Sequence, residues 1–508
     1  MMATLLADTF EAESTANRQR RHGELLWWMS YLAVVTTGLM IAAVAYVRSD
    51  QLYFGISLTC LVLLWATWIR FPRVGLGLTV GFALVGDLVT VSWFPFNKNL
   101  SSVESVMYFA DSISISPLEL TTVLGLGVAA YRNVAATGRP FRSSALNRPF
   151  LLFSVFLLLG LGLGLNRGGD TRAAIYEIRP LILLPLMYLL IVNVCTSRQD
   201  YRRMIWAAGT AIVIQSILSL VFLSTIERNT RDQLDSLNEH GSAISANLLL
   251  VMLVTSFTFR RSSGVLRTML LVALGPIGFV YIIAERRAAI VALVAAMLLL
   301  AIVLFWRQRR TFWKVVPIAI VIALGYLGAF WNSQSSAGFP AQAVKAVIAP
   351  DQISLADQSS DQYRMIENFD LFATIRSAPL TGIGFGRPFL RPIPLPDISV
   401  FEFNQYVPHN SLLWIWTKLG FLGFATTLYL LARTIMLGAA RLRPMPTGTD
   451  AVVAFGAMSF VVMYAIYLYL DIAWEPRNLI LLALSMGLCT GPLDDEPRRD
   501  RLNPRAIA

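Results

Sequence analysis

Charge is what this 508-residue chain has least of: 14% of its residues are Asp, Glu, Lys or Arg, against 56% hydrophobic ones. A water-soluble globule carries about 25% charged residues on its surface and in its loops, so a mean hydropathy of +0.60 excludes that class. Cysteine is scarce too. Cys60, Cys195 and Cys489 fall in apolar runs or at their edges, which excludes a disulfide framework and a zinc pattern. No acidic cluster has metal-ligand spacing, and "GIGFG" neither follows a strand nor precedes a lysine and serine, so no metal, cofactor or nucleotide loop is called for. Internal repeats and low-complexity tracts are missing. Residues 1–24 are polar and contain "RQRRH", and the first apolar run, 25–47, is too long for a signal peptide and has no small-residue cleavage site. It reads as a retained helix.

What the chain has is a succession of apolar runs, each able to cross roughly 30 Å of hydrocarbon as a helix. Candidate spans are 25–47, 53–69, 74–93, 117–131, 149–165, 177–194, 204–223, 243–258, 266–284, 288–306, 315–330, 410–432, 452–470 and 478–491. The run 117–131 is short enough to be re-entrant. The expectation is an all-α polytopic membrane bundle of about 12–14 transmembrane helices. The net charge of +11 suggests nucleic acid only until its distribution is seen. Alternate connections carry the basic clusters, among them Arg70 with Arg73, Arg198 with Arg202 and Arg203, and Arg307 with Arg309 and Arg310. That is the positive-inside pattern, with both termini cytoplasmic. The chain then divides into a cytoplasmic tail (1–24), a first bundle (25–330), a long outer loop (331–408), a second set of helices (409–491) and a cytoplasmic tail (492–508).

The outer loop is the longest connection, and such loops are usually functional or disordered. Its second half predicts a helix from Asp361 to about Arg376, capped by Ser360, with Met365, Ile366, Phe369, Phe372 and Ala373 on one face. That helix lies on the membrane or packs on the bundle. The following "PLTGIGFGRPFLRPIPLPD" suits tight turns in which Gly382, Gly384 and Gly386 let backbone approach a ligand or the bundle.

Arginines retained on the outer side need a reason, because topology disfavours them there. Arg179, Arg286, Arg287 and Arg364 suit a multiply charged anion such as a lipid-linked pyrophosphate, since guanidinium donors match phosphate oxygens. The alternative is that each snorkels to lipid phosphate or pairs locally, as Arg364 would with Glu367 three residues on. His409 stands at a helix mouth, where it can serve as a base near neutral pH. Alternatively it is an interfacial histidine with Asn410 capping the next helix. His240 reads as a loop residue, and His22 as part of the tail. Lys418, nine residues beyond His409 and so about 13 Å into the helix, needs a partner or must snorkel. With Asp87 it could mark the ion path of a transporter.

The order of these outer features resembles the O-antigen ligase and polymerase family of bacterial membrane glycosyltransferases. The resemblance runs from about Asn238 to Ala432 and rests on "NEHGSAISANLLL", "ERRAAIVAL", "YRMIENFDLFATIRSAPLTGIGFG" and "HNSLLWIWTKLGFLGF". Before residue 230 only hydropathy and the arginine of "YEIRPLILL" match. It implies a GT-C type fold in the inner membrane, with a periplasmic site and a long periplasmic loop. The implied donor is a glycan on undecaprenyl pyrophosphate, and the acceptor is lipid A-core or a growing glycan. By position, His409 is the loop-closing histidine, and Arg287, Arg364 and Arg179 are the pyrophosphate-binding arginines. Arg286 stands where the family commonly has serine, which leaves the choice between the two arginines open. Lys418 stands where relatives often carry an acidic residue. Ligase, polymerase and, from another class, transporter or flippase are the readings carried forward.

Overall fold

The computed structural model describes residues 52–491, apart from 87–93, 103–104, 111–113, 226–240, 260–262, 285, 334, 397–402 and 444–447, together with helical positions between 25 and 40. His22, Asp87 and His240 lie outside the described residues. Among those described there is no strand.

The first half of the chain runs through α1 (Leu52–Arg70), α2 (Pro72–Val85), α3 (Pro117–Thr137), α4 (Asn147–Asn166), α5 (Thr171–Val194), α6 (Arg198–Thr225) and α7 (Ser242–Thr258). It continues through α8 (Gly264–Ile283), α9 (Arg287–Arg307) and α10 (Arg309–Phe330). The long loop then holds α11 (Phe339–Ile348) and α12 (Leu355–Ser377), and the chain closes with α13 (Ser411–Leu442), α14 (Thr449–Leu470) and α15 (Pro476–Thr490). Nine described helices are long and apolar enough to cross a membrane, and three shorter apolar ones, α2, α7 and α15, lie among them. The run beginning at 117 is one uninterrupted helix of 21 residues, started by a reciprocal cap between Ser116 and Glu119.

The core belongs to α14 and α15. Nearly every side chain of α15 is buried, and 83% of the most apolar window of α14 is inside the protein, whereas α10 buries none of its residues. A helix apolar all round is stable in either setting, because lipid and protein interior are comparably dry.

The two ends of the bundle are built differently. At one end arginines satisfy the terminal carbonyls that helices leave without partners. Arg307 donates to the carbonyls of Leu442 and Arg443, and Arg132 to those of Ile69 and Arg70. Arg441 donates to Gly491, and Arg198 pairs with Asp450. At the other end lies the long loop.

The glycine-rich stretch of that loop closes on the bundle. Within α13, Gly420 takes φ +69° and breaks the helix, so the carbonyls of Thr417 and Lys418 lose their helical donors. The amides of Ile383 and Gly384 replace them at 2.8 and 3.1 Å, and the freed amide of Phe421 donates to Pro379 at 2.9 Å. Gly382, Gly384 and Gly386 all have positive φ. A Cβ at Gly384 would stand 2.3 Å from the amide nitrogen of Gly164 on α4. Of the two uses the sequence left open for these glycines, the structure displays close approach to the bundle.

Candidate functional site

The site is assembled where α12 crosses the mouths of α9, α13 and α14. Residues 361, 364, 367, 368 and 371 recur at three- and four-residue intervals, so they share one face of α12. Each meets a different neighbour. Asp361 receives both terminal nitrogens of Arg287 at 3.0 Å. Arg364 donates to the carbonyl of Leu470 at 3.1 Å, Glu367 holds His409, and Asn368 accepts from the Asn410 amide at 2.9 Å. Leu371 packs with Ile375, Phe389 and Leu413.

The apolar face expected for this helix is not the one that meets the bundle. Met365, Phe369 and Phe372 face outward and are 70, 50 and 45% exposed. The inward stripe is polar at one end, because it meets helix termini with unsatisfied backbone groups, and apolar at the other. The helix also begins earlier than Asp361, at Leu355. The local pair expected between Arg364 and Glu367 gives way to longer-range partners.

Glu367 is 2% exposed and grips His409 twice. Its Oε2 accepts from the backbone amide of His409 at 2.9 Å, and its Oε1 lies 3.2 Å from Nδ1. A carboxylate against Nδ1 places the proton there and leaves Nε2 as the imidazole's acceptor. The ring is further bounded by Tyr363, edge to face at 5.5 Å, and a quarter of the side chain stays exposed. Asn410 caps α13, accepting from the amide of Leu413 at 3.0 Å. The cap expected of Asn410 is present, and Glu367 orients the imidazole of His409.

The arginines separate by what neutralises them. Arg179 makes two 2.9 Å contacts with Glu119 on α3; two residues from Glu177, it points about 200° around α5 from it. Arg287 is committed to Asp361. Arg364 is held by a carbonyl, which orients it without cancelling its charge. Arg286 precedes α9 in extended conformation, with its Nε buried and lacking a hydrogen-bond partner among the described residues, within electrostatic reach of Tyr467 on α14. The end of α14 is the shared anchor: Tyr467 donates to Asp471, whose carbonyl accepts from Ser411, next to Asn410.

Lys418 has the partner its depth demands. Its ammonium lies 2.6 Å from Glu177, both side chains are fully buried, and it also donates to the carbonyl of Arg387. Glu177 accepts in turn from the amide of Gly386 at 2.6 Å. The pair ties α5, the glycine-rich loop and α13 together behind the site.

Residues missed by the sequence reading are Glu367 as a partner of His409, Asp361, Asn368 and Glu177. The spacing of 361, 364 and 368 was a visible signal for the α12 stripe. For Glu177 no local signal existed, since its partner is 241 positions away.

No curated protein matches the chain. Residues 272–428, from within α8 to within α13, match the family described as O-antigen ligase. That segment carries Arg286, Arg287, Arg364, Glu367 and His409, and leaves Arg179 outside. Over that segment, about a third of its length, this helical membrane protein is similar to the O-antigen ligase family.

Proposed function

We propose that the protein transfers a glycan from a polyprenyl pyrophosphate, undecaprenyl pyrophosphate in bacteria, to an acceptor hydroxyl at the periplasmic face of the inner membrane, as an O-antigen ligase acting on lipid A-core. The observation that carries this reading is the Glu367–His409 pair beside Arg364 and Arg286, two guanidinium groups with no carboxylate partner among the described residues.

In the step proposed, Nε2 of His409 takes the proton of the acceptor hydroxyl. The oxygen attacks the anomeric carbon, the bond from that carbon to the pyrophosphate oxygen breaks, and the electron pair leaves with the pyrophosphate. Glu367 steadies the imidazolium as it forms. Arg364 and Arg286 meet the charge that grows on the leaving group, an interaction stronger in the transition state than before it. Arg287 and Arg179, already neutralised, hold α12 and α3 in place; either reaches a phosphate only by releasing its carboxylate. One displacement inverts the anomeric configuration, and the step uses no metal.

A polymerase extending lipid-linked repeats would use the same groups with a different acceptor. The transporter reading is weakened in one respect, because Lys418, one of the two residues that suggested it, is buried against Glu177.

The test is release of undecaprenyl pyrophosphate from a lipid-linked oligosaccharide by the purified protein with EDTA present. Acceptor-dependent release that is lost in His409→Ala and reduced in Arg364→Ala and Arg286→Ala is the expected result. A retained anomer in the product refutes the single displacement. Gradient-driven uptake without release refutes the transferase.

A further inference from the structure

The stripe that α12 turns toward the bundle carries one polar side chain that the proposed chemistry does not use. Asn368 follows Glu367, the carboxylate that holds His409, and stands four residues, about 6 Å of helix axis, beyond Arg364. Its partner is Asn410, the neighbour of His409. Two contacts therefore run side by side between α12 and the mouth of α13, Glu367 to His409 and Asn368 to Asn410.

The direction of the second contact is fixed from its far side. The backbone amide of Leu413 is a donor, so the atom of Asn410 that meets it at 3.0 Å is the carbonyl oxygen, Oδ1. The NH2 group of Asn410 is then what reaches Asn368, and the atom that receives it at 2.9 Å is again Oδ1. Asn410 is buried, and its amide cannot turn over without losing the cap of α13. The NH2 group of Asn368 is left directed away from Asn410. It has no hydrogen-bond partner among the described residues, and the half-buried side chain keeps it open to solvent. What Asn368 offers outward is therefore a pair of N–H donors, held in orientation by a chain of contacts that ends on the backbone of α13.

We infer that Asn368 reads the donor sugar, giving a hydrogen bond to an oxygen on C2, the carbon next to the anomeric centre. This rests on the transferase reading. In that step the anomeric carbon stands between His409, which faces the attacking hydroxyl, and Arg364, which faces the leaving pyrophosphate. Asn368 belongs to both neighbourhoods: it is adjacent in sequence to the residue that holds His409, and one turn from Arg364 on the same face of α12. A pair of N–H donors takes an acceptor. Being uncharged, it suits a neutral oxygen, that of a hydroxyl or an acetamido carbonyl, whereas the pyrophosphate oxygens match guanidinium groups better. With C2 held, the sugar no longer turns freely about its bond to the pyrophosphate, and the face of the anomeric carbon opposite that bond stays toward the attacking hydroxyl.

The experiment uses the full-length protein in nanodiscs and three undecaprenyl pyrophosphate oligosaccharides. These are identical except that C2 of the sugar on the pyrophosphate carries acetamido, hydroxyl or hydrogen. Acceptor-dependent kcat/KM is measured for wild type, Asn368→Asp and Asn368→Ala. The aspartate keeps the oxygen that Asn410 needs, so its thermal midpoint is expected near wild type. Wild type is expected to use one or both oxygen-bearing donors about five- to tenfold better than the 2-deoxy donor, the scale of one hydrogen bond. Both variants are expected to bring that ratio to about one, and the oxygen-bearing donor that wild type prefers identifies the group read. A carboxylate acting only through its charge, or a merely structural role, would slow all three donors alike and keep the wild-type ratio. Either result, or equal use of the three donors by wild type, overturns the inference and leaves the transferase standing. A wild type that releases undecaprenyl pyrophosphate from none of them refutes the transferase, and this assignment with it.

Discussion

Glu367 and Asp370 are three residues apart on α12 and both buried, yet they carry opposite consequences. Glu367 has both oxygens occupied by His409. In Glu367→Gln the amide NH2 faces a donor, so one of the two contacts is lost and the imidazole tautomer is no longer dictated. Glycan release is expected to fall by about 10²-fold or more, with the thermal midpoint close to wild type, as when an orienting carboxylate is removed from a catalytic histidine. A variant that transfers at the wild-type rate would remove Glu367 from the mechanism.

Asp370 has no such compensation. Its Oδ1 accepts from the amide of Ile393 at 3.2 Å, while Oδ2 is buried without a hydrogen-bond partner among the described residues. Burial pushes its carboxyl above the usual range; the Ile393 amide and Arg391 offset part of this, and the charge of Glu367 adds to it. A folded-state pKa above the unfolded one means the native protein binds the proton more tightly. The cost of ionising Asp370 is therefore absent below the ordinary carboxylate range, grows as pH rises through the window, and is complete above it. Asp370→Asn keeps the acceptor for Ile393 and removes that cost. It is expected to melt above wild type at pH 7.5, with the difference fading near pH 4; a lower midpoint at pH 7.5 would contradict the argument.

At the scale of elements, the break in α13 is the joint of the site. Gly420 opens the helix, the glycine-rich loop fills the opened hydrogen bonds, and Lys418 with Glu177 locks the loop from behind. Removing one charge leaves the other buried alone, which costs roughly 3–5 kcal/mol, whereas replacing both can be close to neutral. Lys418→Met is thus expected to destabilise strongly, and Lys418→Met combined with Glu177→Gln to recover most of the loss, read as thermal midpoints in detergent. Additive losses in the double variant would show that the two residues act independently. Part of this joint was legible: Lys418 advertised a partner by its depth, and the glycines advertised close approach. The partner and the approached surface were not, because residues 177, 386 and 418 meet only after three separate elements have packed.

For the whole molecule, the arginines at one end cap helix termini, and from the positive-inside pattern they form we propose that this end is cytoplasmic. Sidedness is testable in a background with the partly exposed Cys60 replaced, since Cys195 and Cys489 are buried. Ser336→Cys, in the long loop, and Ser143→Cys, between α3 and α4, are both exposed. An impermeant maleimide applied to spheroplasts is expected to label Ser336→Cys and to reach Ser143→Cys only after lysis. The opposite pattern would invert the topology and place His409 in the cytoplasm.

Hydropathy alone determined that the chain is a helical membrane bundle and where most of its helices run, because hydrocarbon forces backbone hydrogen bonds into continuous apolar segments. The order of basic clusters, the helix of the long loop and the cap at Asn410 were also readable, each depending on residues within a turn or two. Which guanidinium stays uncancelled, which carboxylate orients His409, which face of α12 turns inward and what closes on Lys418 were decided by tertiary packing. Those answers depend on residues up to 241 positions apart, and a buried charge takes the partner that the fold brings to it, whatever its sequence neighbours offer.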